Sequence, residues 1–367
     1  MHVPYACRHS GACCSSGWSI PVERDKVVRI ATLRSTRSWL QEADDAPPDV
    51  AGVLAFGGNG HCVFHQLRKP VAPEAPEAPT FGSCEIHAAL GPRALPVACQ
   101  HFPRECLIDS RGVFVTLSHY CPTAATLLWE HSGPVEIVEG PASNPHGEPE
   151  GLDARKVLPP LLTPGVLMDP EAYSEWEAHV VRRLAGPESL AVGARPDQIL
   201  ETLESDARKL AKWRPGGVSL RDAIRALNQA PYSHDTGSLP DWDAEMRLVE
   251  ILRESIAAQH RWEMLPRDVG ARCFPALAGE WTAHAVVINR FLAAHAFATW
   301  MAYQGSGVES QIRELRLVLA VLRHEAIRVC RNETGRLSGA ALKTAIRRAD
   351  LMLVHLADRE RLNAALR

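Results

Sequence analysis

The stretch VESQIRELRLVLAVLRHEAIRVCR, residues 308–331, decides the fold class of this chain. Its apolar residues recur every three or four positions, at Ile312, Leu315, Leu319, Leu322, Ala326 and Val329. An α-helix places residues at this spacing on one face, so the pattern predicts a helix with one apolar stripe packed against a core.

Six further helices are predicted in the same half of the chain. The first begins at Asp169, where Asp169, Pro170 and Glu171 provide an N-cap, a proline in the first helical position and an acidic first turn. The others are predicted over residues 197–213, 220–229, 243–259, 282–303 and 339–359. With no detectable internal repeat, residues 167–367 are expected to form an all-α helical domain.

Residues 1–138 are expected to be rich in loops. We predict helices over 21–33 and 123–129, and short strands over 113–117 and 135–138. The run PVAPEAPEAP, residues 70–79, predicts an extended loop because proline cannot join helix or sheet ladders. Residues 139–166, rich in Pro, Gly and Asn, are predicted to link the two domains. The expected fold class is therefore mostly α, with a cysteine-cluster domain before the helical one.

Composition excludes several classes of protein. The 367 residues are 46% hydrophobic and carry a net charge of −3, which favours neither nucleic acid nor an anionic membrane as a partner. No apolar run reaches the roughly 18 residues that a membrane span requires. The first residues lack a basic region followed by an apolar stretch, so no secretory signal is expected. We therefore expect a cytoplasmic protein with reduced thiols.

Cysteine is concentrated near the amino terminus. Eight of the ten cysteines lie in the first third of the chain: Cys7, Cys13, Cys14, Cys62, Cys84, Cys99, Cys106 and Cys121. A metal or iron–sulfur centre, a disulfide framework and ordinary packing are the possible readings, and reduced thiols favour the first. Cys62 and Cys84 each precede a histidine, His65 and His87, by three positions, which suits zinc, whereas sets of cysteine alone suit iron–sulfur.

Four segments of this region resemble a known family. They are CRHSGACCSSGWSI (7–20), CVFH (62–65), CEIHAALGPRALPVACQHFPRE (84–105) and LSHYCPTAATLL (117–128). Their order is similar to the CxxCxxCC (YkgJ-type) cysteine-cluster domain, and most similar to its flagellin lysine N-methylase (FliB-like) branch. The resemblance covers residues 5 to 128, whereas the helical half resembles the family only in length and character.

The resemblance implies a [4Fe–4S] or zinc centre and S-adenosylmethionine-dependent methylation of lysine on a protein substrate such as flagellin. The family's motif cysteines correspond to Cys7, Cys13, Cys14, Cys62, Cys84, Cys99 and Cys121. This chain lacks the further cysteine that the family often has between the first two of these, and Cys106 is the candidate to replace it. Seven thiolates for two centres would leave one iron open to chelate the donor's amino-carboxylate.

Other features of the sequence leave the chemistry open. The glycine-rich run at residues 57–60 is predicted to be a turn within a loop and lacks the strand and helix that flank a nucleotide-binding loop. A Rossmann-type donor site is therefore not expected. Tyr5, Tyr120, Glu85 and Glu105 are candidates for handling the proton of the substrate amine. The alternatives are a non-enzymatic metal-binding or electron-transfer module whose helical domain docks a partner, and a purely structural centre beside unrelated chemistry.

Overall fold

The structure is a computed structural model that describes most of the chain. The described residues are 5–8, 10–43, 46–58, 60–67, 82–140, 151–229, 240–257, 260 and 262–367. The predicted extended loop, residues 70–79, lies outside them. The described part is mostly helical with a few short strands, as predicted.

Ten short strands are present among the described residues. They are β1 (Pro21–Glu23), β2 (Leu40–Gln41), β3 (Val50–Leu54), β4 (His65–Leu67), β5 (Gly82–Cys84), β6 (Arg104–Asp109), β7 (Gly112–Leu117), β8 (Gly151–Asp153), β9 (Leu161–Thr163) and β10 (Val166–Leu167). They form four small sheets with the orders β1-β3-β2, β4-β5, β7-β6-β8 and β10-β9. Every pair is antiparallel except β6 and β8, which run parallel.

Fifteen α-helices are present in the same ranges. They are α1 (Arg24–Ile30), α2 (Glu85–Leu90), α3 (Val97–His101), α4 (Pro122–Glu130), α5 (Pro170–Ala185), α6 (Pro187–Val192), α7 (Pro196–Leu210), α8 (Leu220–Leu227), α9 (Trp242–Ser255), α10 (Arg267–Ala283), α11 (Ala285–Ala296), α12 (Met301–Gln304), α13 (Val308–Val329), α14 (Gly339–Asp350) and α15 (Arg359–Ala365). No helix in these ranges is long and apolar enough to cross a membrane.

Helix α13 lies at the centre of the helical half, where it packs against α7, α9, α11 and α14. The predicted apolar stripe is buried, and so are residues on other sides of the helix, such as Leu317 and Val321. Two charged side chains of α13 that lie inside the protein form ion pairs: Glu325 pairs with Arg328, and Arg323 pairs with two carboxylates. Arg323 donates to the carboxylates of Asp197 and Glu245. A helix buried on all sides, rather than on one stripe, is typical of the centre of a core.

Five of the seven predicted helices of this half match the structure closely, and Asp169 caps α5 by accepting a hydrogen bond from the Ala172 amide at 2.7 Å. The helix predicted over 282–303 is instead divided into α11 and α12. Ala298, between them, has a φ of 58°, and its amide donates to Glu177 Oε1 at 2.9 Å. This contact with α5 stabilises the break, because alanine rarely adopts a left-handed conformation alone.

The second departure lies at the carboxyl end of the predicted 339–359 helix. Helix α14 ends at Asp350, a wider π-helical segment covers Leu351–Leu356, and α15 follows from Arg359. Helix α10 was not predicted at all. Pro275 lies inside it, and proline is normally evidence against a helix interior.

Predictions for the first 166 residues are partly confirmed. The strand at 113–117 and the helix at 123–129 correspond to β7 and α4, whereas the helix predicted over 21–33 begins only at Arg24 because residues 21–23 pair with β3. The strand predicted over 135–138 is wrong. These residues run without a strand partner, and the Val135 amide instead donates to Ala185 O at the end of α5.

Two separate groups of buried side chains form the interior. The smaller consists of Cys14, Ile20, Val22, Val27, Ile30, Trp39, Leu54, Cys62, Phe64, Ile86, Ala94 and Leu95. The larger begins at Leu107 and includes residues of α4, α5 and the helices from α7 onward. The larger group starts well before residue 138, where the first domain was predicted to end. The predicted linker, residues 139–166, contains strands β8 and β9 and the first residue of β10, and β8 pairs with β6. The domain limits 1–138 and 167–367 stay a prediction.

Candidate functional site

Four chain segments meet at the surface of the smaller core. They are the turn Ala12–Cys14, the loop that carries Cys62, the end of β5 and helix α3. The Cys62 amide donates to Cys14 O at 2.7 Å. Gly11, with a φ of 71°, permits this approach, because a Cβ atom there would lie 2.8 Å from Gly82 Cα. Glycine is therefore required where the first segment crosses β5.

Five cysteines converge where these segments meet. The Cys14 thiol is in hydrogen-bonding contact with the thiols of Cys13, Cys62 and Cys84. Cys99, on α3, lies close enough to Cys13, Cys62 and Cys84 to interact with them electrostatically. We call these five residues the five-thiol group. Residues that are far apart in sequence thus share one site.

Two further cysteines line the same opening. The Tyr5 hydroxyl lies 3.3 Å from Cys121 Sγ and also contacts the Cys7 thiol. A cleft of about 260 Å³ joins this pair to the five-thiol group; its cysteines are Cys7, Cys13, Cys14, Cys84, Cys99 and Cys121. Cys62 lies behind them, in contact with Cys14. All seven cysteines that the family resemblance assigned are therefore brought together.

Cys106 lies elsewhere. It is on β6, opposite Val115 on β7 and Gly151 on β8, and it is 2% exposed. It is not among the residues that line the cleft. The structure therefore does not bring Cys106 to the position of the missing family cysteine, which was its expected role. All ten cysteines lie in the described ranges and none forms a disulfide, so the disulfide framework is not observed.

The two Cys-x2-His histidines differ in position. His87 lines the cleft, whereas His65 lies against Gly11 and Gly82 at the back of the group. The Nδ1 atom of His65 is 2.9 Å from Nδ1 of His61, and burial lowers the pKa of His65. Of the two, only His87 therefore faces the space in which a ligand would be held.

The thiols of the group differ in acidity. The hydrogen bond from Cys14, together with the amides of His87 and Ile86, lowers the pKa of Cys84 to about 7. The pKa of Cys62 is lowered by Cys14 and by the amide of Phe64. Hydrogen bonds to three other thiols raise the pKa of Cys14. The thiolate is the form that binds metals, so the lowered pKa values of Cys62 and Cys84 favour these two residues as donors.

The donor set fits a soft metal. Several thiols on different segments, partly shielded from water, are typical of zinc and iron–sulfur sites. Among the described residues, however, no three His, Cys, Asp or Glu side chains surround one point as the ligands of a single ion. The sulfurs pack around that of Cys14 instead. The residues are therefore of the types that bind a soft metal. In this structure, however, their sulfurs contact the sulfur of Cys14 instead of surrounding a common point.

The four candidates for proton handling occupy different places. Only Tyr5 lines the cleft, and burial raises its pKa, so the phenol stays protonated. Tyr120 meets Ser15 at 3.4 Å, and Glu85 is engaged by Arg34. Glu105 lines a separate small cavity with Asp350 and Arg359, and burial raises its pKa to about 7. Glu105, whose raised pKa would suit a residue that accepts a proton, is therefore not in the cleft.

A buried polar network behind the cleft was not predicted. Trp18 stacks on His355 with ring centroids 4.3 Å apart, and His355 Nε2 lies 2.7 Å from Ser118 Oγ. Ser118 also donates to Asp350, which receives a further hydrogen bond from His295 at 3.1 Å. Ser118 belongs to the segment that resembles the family, but nothing in the sequence connects it to Asp350 and His355, more than 200 positions away.

Comparison with known proteins identifies no relative. The chain matches no protein-family model, and no curated protein or solved structure matches it significantly.

Proposed function

We propose that the five-thiol group, together with Cys7 and Cys121, holds an iron–sulfur centre, with zinc as the alternative metal. The observation that carries this proposal is the convergence of six cysteines from widely separated segments on one cleft, with a seventh, Cys62, in contact with Cys14 behind them. Unpaired thiols that merely pack in a core have no reason to collect at one solvent-facing opening. Metal ligation gives a reason, since soft metals prefer thiolates.

The number of cysteines favours iron–sulfur ligation over a single zinc ion. A structural zinc site is closed by four donors. Six cysteines line the cleft and Cys62 contacts Cys14 behind it, so the set exceeds the ligands of one zinc site. Sets of cysteine alone are typical of iron–sulfur centres.

We further propose, from the family resemblance, that the protein transfers a methyl group from S-adenosylmethionine to a lysine ε-amine of a protein such as flagellin. A bound cluster with an open iron would supply coordination for the donor's amino and carboxylate groups. Arg104 lines the cleft and can pair with the carboxylate, because a guanidinium forms two parallel hydrogen bonds to it. Gln100 and Ser10 provide further polar contacts in the cleft.

Two measurements on protein purified without oxygen test the proposal. Absorption and Mössbauer spectra, with iron, sulfide and zinc analysis, are expected to show an iron–sulfur cluster; protein that contains neither iron nor zinc would overturn the metal proposal. Incubation with methyl-labelled donor and flagellin, read by mass spectrometry, is expected to show methylated lysine. A metal-loaded protein that transfers no methyl group would favour the non-enzymatic module.

A further inference from the structure

A second pocket is lined in part by Thr116, Leu117 and His119, in the segment that leads to Cys121. It has a volume of about 180 Å³ and lies between β7, α4, α11 and residues 134–138. Most of its lining is apolar: Leu117, Ala124, Leu127, Leu128, Pro134, Val135, Val138 and Ala294. We call it the apolar pocket. A well-formed apolar pocket with a few polar groups is the usual form of a small-molecule site.

Arg290 is the cationic residue of this pocket. It lies on α11 and is 5% exposed. Its Nη1 and Nη2 donate to Leu128 O at 2.9 Å and to Gly133 O at 3.1 Å, while its Nε has no partner among the described residues. It forms no ion pair with a described carboxylate, and burial alone lowers its pKa. A buried charge without a counter-charge costs several kcal/mol, so the fold retains an unfavourable group here.

A second polar side chain of the pocket, His119, also has one atom without a hydrogen-bond partner among the described residues. His119 is 4% exposed, its ring packs edge-on against Phe291 at 5.5 Å, and its Nδ1 makes no hydrogen bond within the described residues. The acidic side chain of the pocket, Glu136, lies at its exposed rim, where water screens its charge. The interior of the pocket is therefore mostly apolar and contains one positive charge that no described carboxylate neutralises.

We propose that the apolar pocket binds a small organic carboxylate with an apolar body. The carboxylate would supply the counter-charge that Arg290 lacks, and a charge-assisted hydrogen bond to a guanidinium is among the stronger polar contacts in proteins. The apolar body would be removed from water against the leucine and valine side chains. This site is distinct from the cysteine cleft and does not depend on a metal centre.

Ligand-observed NMR titration of the full chain tests the proposal with three probes of equal length: hexanoate, hexan-1-ol and hexylamine. Hexanoate is expected to bind about tenfold more tightly than hexan-1-ol, since a hydrogen bond to a charged group is worth about that factor. Hexylamine is expected not to bind. Equal affinity for hexanoate and hexan-1-ol, or no binding of hexanoate, would overturn the proposal.

Three variants locate the site. Arg290→Met is expected to abolish the preference for hexanoate, and Arg290→Lys to retain part of it. Val138, 42% exposed at the rim, can be changed without disturbing the core, so Val138→Trp is expected to block hexanoate while the protein stays folded. If Arg290→Met fails to fold, the wild-type comparison and Val138→Trp remain decisive. If Val138→Trp and Arg290→Met bind hexanoate with the affinity of the wild type, the proposal is wrong. Arg290 would then only donate hydrogen bonds to the carbonyls of Leu128 and Gly133.

Discussion

Replacing Cys14 with alanine is the most direct test of the five-thiol group, and Cys106→Ala is its matched control. Both side chains are buried, at 4% and 2% exposure. As packing changes, each removes one sulfur from the interior and is expected to cost about 1–2 kcal/mol of the free energy of unfolding. Only Cys14 contacts other thiols of the cleft. Any loss in the free energy of unfolding beyond that of Cys106→Ala therefore measures the stabilisation that a centre bound by the five-thiol group provides.

The expected difference in the free energy of unfolding between Cys14→Ala and Cys106→Ala follows from the stabilisation that a bound centre gives to the fold. A structural metal site stabilises its domain by on the order of 10 kcal/mol, because the site does not exist in the unfolded chain. The smaller core comprises twelve buried residues, two of them cysteines, so the proposed centre would be a large part of its stabilisation. If losing one ligand forfeits a third of it, Cys14→Ala costs about 3 kcal/mol more than Cys106→Ala.

Hydrogen exchange read by mass spectrometry under anaerobic conditions measures this difference locally. Peptides containing Val22, Leu54 and Ile86 are expected to exchange faster in Cys14→Ala, while peptides of α13 keep their protection. Treating the wild type with a metal chelator should reproduce the pattern, and the same treatment should leave Cys14→Ala unchanged. Equal exchange in the two variants, with full metal content in both, would refute the reasoning.

Three further predictions concern the helical half and its contacts. Arg111→Met is expected to cost about 3–5 kcal/mol in urea unfolding, because it leaves the buried carboxylates of Asp109 and Glu177 without their guanidinium; a cost below about 1 kcal/mol would contradict this. Asp169→Ala removes the N-cap of α5 and is expected to cost about 1 kcal/mol, whereas Asp169→Asn should cost less. The raised pKa of Glu105, about 7, favours the folded state when the carboxyl is protonated, so stability is lost as the pH rises from about 4.5 through 7. Glu105→Gln is expected to be more stable than the wild type at pH 8, by up to ~3 kcal/mol, and equally stable at pH 4.

Local patterns predicted the parts of the structure that local interactions stabilise. The apolar spacing in residues 308–331 and the Asp169 N-cap correspond to α13 and α5, because side chains three and four positions apart meet on a helix wherever it lies. The alternation in residues 113–117 likewise corresponds to β7. These signals need no knowledge of distant residues.

Patterns failed where distant residues decide the backbone. The break at Ala298 depends on Glu177, 121 positions away, and the chain at 135–138 is held by Ala185 at the end of α5. In α10, Pro275 is accommodated within a helix whose other residues pack against α9 and α13. In each case a tertiary contact outweighs a local preference of about 1–3 kcal/mol.

For the candidate site, the sequence by itself determined that thiols are concentrated in the first third of the chain and identified the segments that carry them. Only the tertiary structure separated Cys106 from the other seven, because β6 leads it away from the cleft into the sheet with β7 and β8. It alone also placed Arg290 against α4, with no ion-pair partner in the described part of the chain. Residue identity fixes which groups can bind a metal or an anion, whereas distance and burial, which depend on the whole fold, decide which of them meet.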